Sequence, residues 1–321
     1  MQYLRFLFLF LLIYSFTFAD LSEGLAAYYP FNGNANDDSG NGHNGSVTDA
    51  VPAADRFGNP NSAYDFDGNG DYINIGDELD SNNHSLTLCA WIKAGNFNQY
   101  AKIINKGQTV NGTPPHSGYS LRIVNSEWGV TPSGQPELRF GYTDDETDAG
   151  FAAITVGNLE ENRFHFIAGI LNRSRARSAE LMLYVDSVPV DTTIVGVDGS
   201  DTNIPLAFGA LHRGTYGSTT EFFNGIIDDI RIYHRALSHN EICSLYHIND
   251  WMDNIVISIE INNNNVNLDW NTVAGAASYK VYSSNEPNTG FSEDTGGTFD
   301  GESWIAPIID AKKFYFVKAV N

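Results

Sequence analysis

Positive charge is what this 321-residue sequence has least of, with 18 Lys and Arg against 39 Asp and Glu and a formal net charge of −21. Phosphates and anionic headgroups recruit proteins through Lys and Arg, so neither nucleic acid nor an anionic membrane surface is expected as a partner. Divalent cations or neutral ligands suit such a chain better, although acidity also simply keeps an exported protein soluble. Beyond the first turns of the chain no apolar run approaches the roughly 20 residues of a spanning helix, and no membrane insertion is expected. Two hydrolase motifs are missing as well: there is no Gly-x-Ser-x-Gly turn and no His-Glu-x-x-His. Charged residues make up only 18% of the chain, and cysteine is limited to Cys89 and Cys243.

Residues 1–19 carry Arg5, an apolar run from Phe6 to Tyr14 and the small-x-small site Thr17-Phe18-Ala19. This pattern predicts a signal peptide, and hence a soluble protein that is secreted, extracellular or held at a cell surface. No Cys follows the cleavage site, so a lipid anchor is not expected. Export would permit a single disulfide between Cys89 and Cys243; two buried thiols acting as small hydrophobes are the other reading.

Glycine and aromatics are abundant, with 30 Gly, 20 Phe, 16 Tyr and 5 Trp. They suit many short strands joined by tight turns, and the length suits roughly two domains. Strands are predicted at 24–31, 63–66, 72–75, 85–93, 102–105, 119–124, 138–142, 151–156, 164–171, 181–185 and 206–209, bounded by Gly, Pro, Asn or Asp. Asp67-Gly68-Asn69-Gly70-Asp71 between two alternating runs predicts a β-hairpin. Ile226 to Tyr233 alternates on a period of two, placing Ile226, Asp228, Ile230 and Ile232 on one face. Ser238 and Glu241 fit a capping box, and Ile242, Leu245 and Tyr246 follow at helical spacing, so a short helix closes the domain.

The closing stretch, FFNGIIDDIRIYHRALSHNEICSLYH from Phe222 to His247, resembles the C-terminal signature of laminin-G-like, concanavalin A-like jelly-roll domains. The opening stretch is similar too, with a strand running into Phe31-Asn32-Gly33-Asn34-Ala35-Asn36-Asp37 and a Gly-rich loop. Leu183 to Val190 resembles the family's strand, turn, strand element, with Ser187 where Gly is usual; if that position needs positive φ, Ser187 carries mild strain. The resemblance spans residues 22 to 248 and implies an all-β fold, a two-sheet jelly-roll sandwich. Residues 249–254 read as a linker. In 255–321, Asn267-Leu268-Asp269-Trp270, Gly275 to Tyr282 and Phe314 to Asn321 resemble the B, C and F strands of a small fibronectin type III module. Nothing resembling that family's last strand follows, which leaves an unprotected sheet edge or one that pairs with something.

The laminin-G-like fold carries lectins, receptor-binding modules and glucanases, so function must come from the residues. Glucanases of this fold place three acids at alternate positions of one strand. The nearest run, Asp144-Asp145-Glu146-Thr147-Asp148, has the wrong spacing, and catalysis is not expected. Asp37, Asp38 and Asn41 in the first loop and Asp228 in the last strand are candidate ligands for a structural Ca2+, because hard cations take Asp, Asn and carbonyl oxygens from turning loops. The resemblance puts usual family aspartates at Asp37 and Asp228; Asx-turns and caps are the plainer reading of all four. His212, Arg213, Tyr216 and Trp128 are candidates for binding sugar, by hydrogen bonding and ring stacking. Tyr119 and Tyr142 read as core. Sequons stand at Asn44, Asn83, Asn111 and Asn172. The expectation is a non-catalytic, lectin-like protein for carbohydrate or surface glycoconjugate. An adhesive protein for protein partners and a glycoside hydrolase or lyase are the alternatives.

Overall fold

The computed structural model describes residues 21–81, 84–97, 99–107, 118–125, 135–143, 151–155, 159–175, 178–196, 204–212, 218–247, 257–262, 264–270, 278–285, 292–308 and 313–320. The expected leader at 1–19, the linker at 249–254, the acidic run at 144–148, and Trp128, Arg213 and Tyr216 lie outside them. The chain forms two compact units, one ending at Ile242 and the other beginning at Cys243.

The first unit is built from β1 (Leu25–Tyr29), β2 (Ser46–Thr48), β3 (Val51–Ala53), β4 (Ala63–Asp67), β5 (Tyr72–Gly76), β6 (Leu86–Ala94), β7 (Ala101–Lys106), β8 (Gly118–Val124), β9 (Glu137–Thr143), β10 (Phe151–Thr155), β11 (His165–Arg175), β12 (Ser178–Val185), β13 (Val188–Gly196), β14 (Leu206–Phe208) and β15 (Asn224–Tyr233), with α1 (His239–His247) after them. An eight-stranded sheet runs β13-β12-β11-β6-β15-β4-β3, with β1 also paired to β15. A seven-stranded sheet runs β10-β9-β8-β7-β14-β5-β2. Every pairing is antiparallel, and the two inner faces enclose one apolar core. Tyr29 of β1 meets Phe208 of β14 edge-on at 4.9 Å between ring centroids. On β11, Gly169 leaves room for the facing Phe140 ring, which would collide with a Cβ at 169.

The expected hairpin at 63–75 does not form. β4 pairs with β3 and β15, whereas β5 pairs with β2 and β14 in the other sheet. The segment Asp67–Asp71 therefore crosses between sheets, held by the Asp71 carboxylate accepting from the Asp67 amide at 2.8 Å. Asp-Gly-Asn-Gly supplies the same backbone freedom for a sheet change as for a hairpin, so local turn chemistry does not separate the two.

The last strand also departs from its expected period. β15 pairs along one edge with β6, and along the other with β4 at Asn224–Ile227 and β1 at Ile230–Tyr233. A bulge falls between Asp228 and Arg231, and Asp229 takes φ 50°. One extra residue reverses the alternation. Ile227, Ile230 and Ile232 face the core, in place of the expected set containing Ile226 and Asp228.

Ser238 and Glu241 do form the capping box: the Ser238 amide reaches Glu241 Oε2 at 2.7 Å, and the Glu241 amide reaches Ser238 Oγ at 3.4 Å. The β12–β13 turn places both Asp186 and Ser187 at positive φ, 49° and 65°. Cys89 is buried on β6 and Cys243 is half-buried on α1, both as thiols, with no disulfide between them. Burial pushes the Cys89 thiol up to about 12, where it behaves as a small hydrophobe.

The second unit has β16 (Ile257–Asn262), β17 (Asn265–Trp270), β18 (Ser278–Ser284), β19 (Ser292–Glu293), β20 (Thr298–Asp300), β21 (Ser303–Pro307) and β22 (Phe314–Val320). They form a four-stranded sheet, β16-β17-β21-β20, and a three-stranded sheet, β19-β18-β22. Trp304 and Leu268 centre its small core, with Trp270 against Tyr279 at 5.4 Å and Trp304 against Tyr315 at 5.6 Å.

Candidate ligand face of the seven-stranded sheet

Strands β5 and β7 to β10 alternate core residues with polar ones. Ile73 and Ile75 of β5 point inward, which turns Tyr72 and Asn74 outward. Leu121 and Ile123 flank an outward Arg122, and Leu138 and Phe140 flank an outward Arg139. The register sets Lys102 of β7, Arg122 of β8 and Arg139 of β9 side by side across three strands. Asn105 and Ser120 form the next row.

This outward face is a floor of largely buried polar side chains. Lys102, Asn105, Ser120, Glu137 and Arg139 are buried there. Charges taken out of water need partners. Lys102 Nζ meets Glu221 Oε2 at 3.2 Å, and Arg139 Nη2 meets Glu137 Oε2 at 2.9 Å, with the Arg139 guanidinium 3.9 Å above the Phe151 ring.

At the β5 end the floor rises to an aromatic pair. His212 stacks on Tyr72 with centroids 5.0 Å apart and planes at 25°, and both side chains are half-buried. His212 Nδ1 shares a 2.8 Å hydrogen bond with Thr219 Oγ1. Burial holds the imidazole pKa below its usual value, so the ring is neutral at physiological pH. A neutral imidazole packed on a phenol offers flat apolar surface edged by hydrogen-bonding groups, which suits a sugar ring. Of the expected sugar-binding residues, His212 is the described one. Tyr119 and Tyr142 belong to the core, as expected. Tyr72 and Asn74 were missed because the segment reads as a hairpin arm, yet the alternation Tyr-Ile-Asn-Ile carries the signal that they share a face.

Of the expected calcium ligands, Asp37, Asn41 and Asp228 have other partners. Asp37 accepts from the amides of Tyr28, Ser39 and His43 at 3.0, 2.9 and 3.0 Å. Burial raises its pKa, but these bonds outweigh burial and hold it below the usual carboxylate value. The Asn41 amide donates to the carbonyls of Leu25 and Ala26 at 3.2 and 3.0 Å. Asp38 is exposed, and its backbone N–H donates to the Tyr28 carbonyl at 2.8 Å. Among the described residues no group of three or more His, Cys, Asp or Glu is placed to hold a metal ion.

Asp228 lies on the opposite side of the sandwich. The bulge turns both Asp228 and Asp229 to the outward face of the eight-stranded sheet, where Arg56 bridges them at 3.0 and 2.8 Å. The Arg56 guanidinium sits 4.5 Å from the Trp91 ring and 4.4 Å from the Phe57 ring. Tyr28 Oη donates to Asp229 at 2.9 Å, and Arg231 lies 4.0 Å above the Tyr28 ring. Burial, and then the neighbouring Asp229 carboxylate, push the Asp228 pKa up to about 8 against the pull of Arg56.

An all-antiparallel two-sheet sandwich that joins its first and last strands, with a polar floor outside one sheet, defines a concanavalin A-like class of protein. A family model described as the concanavalin A-like lectin/glucanases superfamily matches residues 67–243, more than half of the chain, and the chain belongs to that family. No curated protein matches the sequence. Among solved structures, the fold is similar to the binding domain of Paraclostridial Mosquitocidal Protein 1, with a TM-score of 0.50, 16% identity, and coverage of 82% of this chain and 58% of that one. It is also similar to the binding domain of botulinum neurotoxin DC. The complex of that domain with rat synaptotagmin II gives a TM-score of 0.51 at 14% identity, covering 88% of this chain and 73% of that one. Its complex with SialylT gives a TM-score of 0.51 at 15% identity, covering 84% and 68%. At these identities the likeness is one of fold.

Proposed function

We propose that this chain is a non-catalytic carbohydrate-binding protein whose ligand face is the outward side of the seven-stranded sheet. The observation that carries the reading is the half-buried Tyr72–His212 stack at the edge of a floor of buried, paired polar groups. The rings supply the flat apolar platform, while Asn74, Arg122 and the His212 edge supply the few polar groups that fix orientation. Glu137 and Glu221, the described carboxylates of that floor, are each paired with a cation, which leaves neither poised as the acid of a glycosidase. The similar toxin binding domains were solved with SialylT and with synaptotagmin, so the fold accommodates both glycan and protein ligands.

We read residues 1–19 as a signal peptide, and the second unit as a fibronectin type III-like module serving as spacer or attachment. Four strands opposite three, with the B-, C- and F-like strands at β17, β18 and β22, support the latter. Calcium is not needed in this reading, because Asp37 and Asp228, the two buried carboxylates among the candidate ligands, already have amide and Arg56 partners.

The test is a glycan array on the exported protein followed by calorimetry on the best ligand. Tyr72→Ala and His212→Ala are each expected to weaken binding at least about tenfold, as loss of a stacking platform does. Glycan binding that survives both substitutions unchanged would move the site elsewhere, and the absence of any glycan ligand would refute the reading.

A further inference from the structure

Three cations stand side by side on the outward face of the seven-stranded sheet. Lys102 of β7 is directly opposite Arg122 of β8, and Arg122 is directly opposite Arg139 of β9. Like charges in such positions destabilise a sheet. Glu221 at 3.2 Å from Lys102 and Glu137 at 2.9 Å from Arg139 offset the two ends of the row, while the guanidinium in the middle has a cation on the strand to each side. An arrangement that costs stability yet lies on the ligand face is accounted for by an anion that arrives with the ligand.

Exposure singles out the same residue. Lys102 and Arg139 are only 2 and 3% exposed, whereas Arg122 is half-buried and can be reached from solvent. Its planar fork of donors matches the geometry of a carboxylate or a sulfate. Among the described residues of this face, three cations meet two carboxylates, in a chain whose net charge is −21. Acids elsewhere on the molecule are screened over a Debye length of about 8 Å at physiological salt, so a group bound here meets the field of the row.

The row also lines up with the aromatic platform. Ala207 of β14 pairs with Asn74 on one side and Asn105 on the other, which fixes β5 against β7. Tyr72, two residues before Asn74, therefore lies in line with Lys102, three residues before Asn105 across a bulge. From β5 to β8 is three strand spacings, about 14 Å. We propose, on the reading of this face as the sugar site, that the ligand is an acidic oligosaccharide: one ring stacks on the Tyr72–His212 pair, and a carboxylate or sulfate on another ring is held by Arg122.

The test uses matched glycan pairs that differ only in the acidic group, uronate against carboxyl-reduced and sulfated against desulfated, on an array and then by calorimetry. The acidic member of one pair is expected to bind at least about tenfold tighter at physiological salt, with the advantage shrinking as salt is raised. The pair that shows the preference identifies the acid. Arg122→Gln, with its near-ultraviolet dichroism unchanged, is expected to bring the two members to nearly equal affinity. Neutral members that bind as tightly as acidic ones, at a site lost in Tyr72→Ala, overturn the acidic ligand and leave the sugar reading standing. No glycan binding at all overturns both. A preference that persists in folded Arg122→Gln overturns the assignment to Arg122. The wild-type pairs decide the sign of the ligand even if the variant unfolds.

Discussion

On the first unit, the two outward sheet faces are built from the same alternating pattern and put to different use. The outward face of the eight-stranded sheet is closed. Trp91 packs on Phe166 at 5.6 Å and lies under Arg56, and the chain after β15 folds back so that Thr87 Oγ1 donates to the Arg235 carbonyl at 2.8 Å and accepts from the Leu237 amide at 3.0 Å. Opposite it, the seven-stranded sheet keeps its charges paired along a floor but leaves Tyr72 and His212 half open. The difference shows that buried charge by itself does not mark a site here, because both faces have it. What distinguishes the second face is apolar ring surface left beside the paired charges.

The sharpest way to break this comparison is to remove the cation that closes the first face. Arg56→Ala leaves Asp229 buried beside Asp228 without the cation that bridges them, and losing one partner of a buried ion pair costs about 3–5 kcal/mol. Urea denaturation is expected to show a loss of that size, against less than about 1 kcal/mol for truncating a half-exposed ring at Tyr72. Equal losses at both positions would mean that the two faces are equally structural.

A smaller effect follows from Asp228. Its folded pKa of about 8 lies above the unfolded value of 3.8, so between these the folded state holds a proton that the unfolded state has released. Stability should therefore fall as pH rises from about 4 to about 8, and the loss should be complete above the folded value. Thermal melts across that range are expected to slope downward for the wild type and to be flatter for Asp228→Asn, which keeps the uncharged shape. A wild-type slope that survives the substitution would assign the pH dependence to other groups.

The smallest expected effect is that of metal. Because Asp37 is already bonded to three amides and Asp228 to Arg56, adding calcium to EDTA-treated protein should leave the melting temperature unchanged. A calcium-dependent rise that disappears in Asp37→Ala would instead make the first loop a metal site.

Much of the fold was legible where one local rule decides. Ser238 and Glu241 announce a helix start because each satisfies the other's amide, and the strand-turn-strand motif placed the Ser187 turn that the positive φ bears out. The β15 bulge was not legible, because Ile-Asp-Asp-Ile looks regular in sequence, and nothing local to it announces the left-handed backbone at Asp229. The β4–β5 connection was misread for a related reason: turn chemistry reports a reversal without reporting which sheet receives the next strand. Within the candidate site, His212 was found from its residue type in a Gly-rich loop. The Tyr72 platform and the Lys102-Arg122-Arg139 row depend on cross-strand register, which no single strand encodes.

The pairing of β1 with β15 also sets a schedule. Tyr28 and Asp229, joined by a hydrogen bond, are 201 residues apart in sequence. A chain made from its N-terminus must hold β1 unpaired until nearly the whole sandwich has emerged, and contacts of that separation are slow to form. A product cut short before residue 224 would lack β15 altogether, leaving β6, β4 and β1 each with an edge ready to recruit a neighbour, so for this protein truncation is a route to aggregation more than to a smaller working domain.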